Sequence, residues 1–183
     1  ALEQAVVLTF PPARDQGEIP IEAEIPDFTQ EPGSLTMTIG AFDGVVDLGT
    51  ARRNIDRLRF DGDLPTVAVT DTRNDAQAGT SGWSVSGRAS DFTADPETFS
   101  AAYLGWLPWT TADDRPGVDP GPPVKGLLRG GPGLAEPATL VHATNEGRYG
   151  TATAGAHLLL EVPLDTPPGS YHSTLSLSLF PVD

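Results

Sequence analysis

Wherever this chain is strongly patterned, its apolar residues recur at every second position. Val67 and Val69 alternate with Thr66, Ala68 and Thr70, and Leu158, Leu160 and Val162 share one face. Leu175, Leu177 and Leu179 alternate with Ser176 and Ser178. Successive side chains of a strand point to opposite faces, so a period of two specifies half-buried β-structure. No segment keeps a helical apolar face over ten residues. Gly 20 and Pro 18 are together about a fifth of the 183 residues, which favours many turns between short elements. The expectation is an all-β fold, a β-sandwich of short, mainly antiparallel strands with long loops.

The best-patterned stretch is Leu64–Gly87. Val67, Val69, Asp71 and Arg73 fall on one side of an extended segment, and a run of turn formers (NDAQAGTSG) follows. Trp83 and Val85 then share a face of a second strand, so the stretch reads as a long-looped β-hairpin. Upstream, Val6–Phe10 and Ile19–Ile25 read as strands. In the second of these, Ile19, Ile21, Ala23 and Ile25 alternate with Pro20, Glu22 and Glu24, and Pro20 demotes it to an edge strand. Asp27–Gly33 breaks the chain. Residues 1–33 are therefore expected to form an N-terminal β-extension or linker region, and residues 34–183 the sandwich domain. Leu35, Met37 and Ile39 open that domain with an apolar face. Arg52–Phe60 reads as strand rather than helix, and one helical turn is expected after Pro96. The longest irregular segment runs from Thr110 to Pro137.

The formal net charge of −14 disfavours a nucleic-acid partner, because phosphates are repelled rather than neutralised. The absence of cysteine removes disulfides, thiolate metal sites and cysteine catalysis together. His142, His157 and His172 sit in or beside C-terminal strands, with no GxSxG to pair with and no ligand spacing among them. Asp61, Asp63, Asp113 and Asp114 read as exposed loop acids outside any EF-hand pattern. The chain is thus expected to be no enzyme and to hold no metal and no cofactor. No apolar run approaches the roughly 20 residues of a membrane span.

What remains is aromatic and polar surface. Tyr103, Trp106 and Trp109 crowd into one short stretch beside the long irregular segment. They form either a platform for sugar rings or a plug for the open end of the sandwich. Asp71 and Arg73, two residues apart on one strand face, form either a solvated ion pair or a polar recognition spot. Trp83, on a patterned strand, belongs in the core.

Four blocks resemble the WxL domain, and most of all its actinobacterial relatives. They are GVVDLGT (Gly44–Thr50), LPTVAVTDTR…GWSVSGRASDFT (Leu64–Thr93), YLGWLP (Tyr103–Pro108) and LEVPLDTPPGSYHSTLSLSL (Leu160–Leu179). The family's proximal motif falls on Trp83 and Val85, with Val in place of Leu, and its distal Trp position holds Leu177. The resemblance implies a secreted protein of the Gram-positive cell surface. Such a protein attaches non-covalently to peptidoglycan or another cell-wall glycan, and acts beside other surface proteins. An adhesin or stalk module binding another protein is the alternative, with the aromatic residues as interface anchors. Far-UV circular dichroism should show less than about a quarter helix, below the ordinary globular share.

Overall fold

Gly150–Pro163 is the longest strand among the described residues, and Ala152, Ala154, Ala156, Leu158, Leu160 and Val162 on one of its faces are all buried. The computed structural model describes residues 32–111 and 115–183. Val6–Phe10 and Ile19–Ile25, and with them the expected N-terminal extension, lie outside the described residues, as do Asp113 and Asp114. The first described strands are β1 (Leu35–Ile39), β2 (Arg52–Arg53), β3 (Arg57–Asp63) and β4 (Val67–Asp71). They are followed by β5 (Gly82–Ala89), β6 (Phe92–Ala94), β7 (Glu97–Phe99) and β8 (Leu104–Thr110). The chain finishes with β9 (Val118–Pro120), β10 (Ala138–Ala143), β11 (Gly150–Pro163) and β12 (Leu175–Val182). The fold is all-β, as the periodicity requires.

The first sheet is built on β11. On one edge it pairs with β3 (Asp63 opposite His157) and then with β4 (Val67 opposite Ala154). Between those two pairs β3–β4 advances one residue more than β11. The extra residue is absorbed at Leu64–Thr66, where Leu64 still donates to the Ala156 carbonyl (2.8 Å) and Pro65 has no N–H to place. β3 and β4 are thus one long strand with a bulge. β1 flanks the β4 half, β2 flanks the β3 half, and β8 lies on the other edge of β11. The second sheet has the order β12-β5-β10-β9. The inner faces of the two sheets form one core that includes Val67, Val69, Trp83, Val85, Trp106, Leu140 and Leu158.

The long-looped hairpin expected over Leu64–Gly87 does not form, because β4 and β5 belong to different sheets. Asn74 accepts from the Gln77 amide and Gln77 reaches back to the Asn74 amide, a reciprocal cap that starts the helical turn α1 (Asp75–Ala78). Gly79, at φ +58°, ends that turn and sends the chain to the opposite sheet. The helical turn expected after Pro96 is also absent. Asp95-Pro96 is instead the turn of the β6–β7 hairpin, in which Phe92 stacks on Phe99 with centroids 4.9 Å apart. Tyr103 and Tyr171 pack against Phe99, so an aromatic cluster closes this end of the sandwich.

Trp83 and Trp106 are both buried, on different terms. The Trp83 indole N–H donates to the Arg148 carbonyl (3.2 Å), whereas the buried Trp106 N–H has no acceptor. Trp83→Ala should cost roughly 3–5 kcal/mol of stability in chemical denaturation. Trp83→Phe should destabilise more than Trp106→Phe, because only the first change strands a buried hydrogen-bond partner.

Candidate functional site

β8 carries the residues the sequence put forward, and its pleat separates them. Trp106 and Trp109 are three residues apart in an extended strand, so they face opposite sides of the sheet. Trp106 points into the core at 2% exposure, over Gly87 of the second sheet, where a Cβ would come within 2.6 Å of its ring. Trp109 lies on the outer face at 37% exposure, its ring over Gly155 of β11, where a Cβ would approach to 2.4 Å. Tyr103 belongs to the aromatic end cluster. The three aromatics therefore make no common platform. One exposed indole stands on the outer sheet face, one is core, and one helps close an end.

Around Trp109 the outer face is mixed. Leu107, paired with His157, is 53% exposed. His157 approaches Asp63 (Nδ1 to Oδ1, 3.0 Å), and both side chains are accessible. Thr70 and Thr151 exchange a hydroxyl contact of 2.9 Å further along the same face. Asp61 and Asp63 are thus not loop acids: both lie in β3, where Asp61 is paired with Arg52 and Asp63 with His157. The result is an apolar, flat-ringed centre bordered by hydroxyl, imidazole and carboxylate groups.

Asp71 and Arg73 are not a solvated pair. Asp71 is fully buried, and Arg73 donates to it through Nε (3.0 Å) and Nη2 (2.7 Å). Arg148 adds bonds to the Arg73 carbonyl (2.7 Å) and to Asp75 (2.8 Å), and lies 3.7 Å from Asp71. The Asp71 carboxylate holds Arg73 above its ordinary pKa. This group closes the end of the sandwich beside Trp83 and does not reach the Trp109 surface. Trp83 and Val85, the proximal motif, are both at 0% exposure.

Sequence reasoning missed a second buried charge. Glu161 is 3% exposed on the outer side of β11, beneath the segment that carries Arg129. Arg129 donates to it at 2.6 and 3.0 Å, and Arg57 at 3.4 Å. Its position on the polar side of an alternating strand was readable, but its loop-borne partner was not. No group of three or more His, Asp or Glu side chains is placed to hold a metal ion among the described residues, and none of their helices is long and apolar enough to cross a membrane.

No family model, curated protein or solved structure matches the chain.

The Arg129 hydrogen bonds, reinforced by the Arg129 and Arg57 charges, hold the Glu161 carboxyl below its ordinary value of 4.5, against the opposing effect of burial. A carboxyl with a depressed folded-state pKa contributes stability that is present above its unfolded value and lost as pH falls through the folded one. Melting temperature should accordingly drop on acidification below about pH 4.5. In Glu161→Gln that acid decline should be shallower, with the melting temperature already lower at pH 7.

Proposed function

We propose that this protein is a secreted, non-enzymatic cell-surface module that attaches non-covalently to the Gram-positive cell wall. Its contact is the outer face of the first sheet around Trp109. The observation that carries this reading is the seating of Trp109 on Gly155. A missing Cβ lets the indole lie over the sheet while part of it stays accessible. A rigid, half-exposed ring of this kind suits the apolar face of a sugar, and the neighbouring Thr, His and Asp groups suit its hydroxyls. The likeness of four sequence blocks to the WxL domain supports peptidoglycan, or another wall glycan, as the ligand.

Charge sets the terms of such binding. The chain carries −14, and a wall rich in phosphate polymers repels it at long range. Attachment then rests on short-range stacking and hydrogen bonding, which salt screens little. In sedimentation with purified, protein-free sacculi, the protein should pellet equally well or better as salt is raised, and EDTA should leave binding unchanged. Trp109→Ala should abolish pelleting with little change in melting temperature, while Tyr103→Ala should leave pelleting intact. Failure of the parent protein to sediment, or pelleting by Trp109→Ala at the parent level, would overturn the assignment.

A further inference from the structure

The space between the two sheets is not filled throughout. An apolar cavity of about 500 Å³ lies between Ile39 and Val67 of the first sheet and Leu175 and Leu177 of the second. Its floor is core, for Val67, Leu104 and Leu158 are all buried. Its lip is not: Ile39 (51% exposed), Phe42 (49%) and Val45 (70%) stand at the mouth. The loop that carries Phe42 and Val45 is held at both ends. Gly40 donates to the Thr66 carbonyl (2.7 Å), and Leu48 packs on Gly62, where a Cβ would come within 2.8 Å of it. Between these anchors no hydrogen bond ties Ala41–Val46 among the described residues. Large apolar side chains are thus kept at an open mouth, an arrangement that marks binding sites.

The lining restricts what can enter. Although 20% of the chain's residues are charged, no Asp, Glu, Lys or Arg lines the cavity. A charged group brought inside would lose its water and find no counter-ion. The polar side chains of the lining come from one short segment, His172, Ser173 and Thr174, just before β12. The Ser173 hydroxyl is already used, donating to the Ser90 carbonyl (2.6 Å). His172 is fixed through its backbone, which exchanges hydrogen bonds with Thr93 (2.9 and 3.0 Å). Its imidazole makes no hydrogen bond among the described residues and is left for an incoming group.

We propose that this cavity binds an uncharged, single-chain amphiphile, with its alkyl chain between the sheets and its hydroxyl, ester or amide head at His172 and Thr174. An apolar lining with a few polar groups gathered at one end fixes both the class of ligand and its orientation. Size agrees. A cavity of about 150 Å³ holds a benzene ring, so this one has room for a chain of roughly a dozen carbon atoms. An anionic head is disfavoured, because no cation stands at the mouth and the chain carries −14. The site is separate from the wall contact: Trp109 lies on the outer face of the first sheet, whereas this cavity opens between the sheets.

The probe is 1-decanol, titrated against the intact protein by calorimetry, with decanoate as the same chain bearing a charge. One decanol should bind per chain and raise the melting temperature as its concentration rises. Decanoate should bind at least about tenfold more weakly, since its charge has no partner. Val45→Asp changes an exposed lip residue that the fold does not depend on, and should weaken decanol binding by about tenfold at an unchanged melting temperature. His172→Ala should weaken it by about fivefold, the loss of one hydrogen bond. Absence of saturable decanol binding, equal affinity for decanoate, or full affinity in either variant would each overturn the proposal. So would self-association that covers Phe42 and Val45 in place of a ligand. None of these readouts depends on wall binding.

Discussion

The two sheets share no disulfide, and at one end they are tied by buried charge. Asp71 ends β4 in the first sheet, Gly82 and Trp83 begin β5 in the second, and Arg73 touches both sides: its guanidinium binds Asp71 and donates to the Gly82 carbonyl (3.2 Å). Arg148 completes the tie, since its carbonyl receives the Trp83 indole and its guanidinium holds the Arg73 carbonyl. Removing one partner of such a group leaves an uncompensated buried charge, at about 3–5 kcal/mol. Whole domains are stable by only about 5–15 kcal/mol. The fold therefore depends on this corner as much as on its largest buried ring, Trp83, and the corner links the end of β4 to the start of β5.

The same corner explains where the sequence could be read and where it could not. Strands were legible because each depends on local alternation, as in Leu175, Leu177 and Leu179 of β12. Sheet membership was not, because it depends on what lies between strands. The Asn74–Gln77 cap and Gly79 are ordinary loop residues in composition. Their geometry nonetheless turns an apparent hairpin into a crossover between sheets. Asp71 and Arg73 were recognised as a pair, but their burial depends on Arg148, far along the chain.

The candidate site was half legible. The odd spacing of Trp106 and Trp109 already forbids a shared strand face, once the stretch is taken as a strand. What no local pattern announces is the seat beneath each ring. Gly87 and Gly155 read as weak points inside strands, yet each vacates the volume that an indole fills. One seat lies between the sheets and the other lies outside. Two tryptophans of one strand thus take opposite roles, one as core and one as surface.

The outer face of the first sheet is also where the structure divides itself by depth. Its lower half is roofed by the segment carrying Arg129, which seals Glu161 from water and neutralises it with two arginines. Its upper half, around Trp109 and Leu107, has no such roof among the described residues, and its polar groups pair only with one another, as His157 does with Asp63. A buried carboxylate demands a fixed cationic partner, whereas an exposed indole beside an imidazole and hydroxyls can exchange water for a ligand at small desolvation cost. Both halves belong to β11, yet only the upper one leaves its side chains accessible to water. Of the arginines along that sheet, Arg57 and Arg129 are engaged with Glu161 and Arg52 with Asp61.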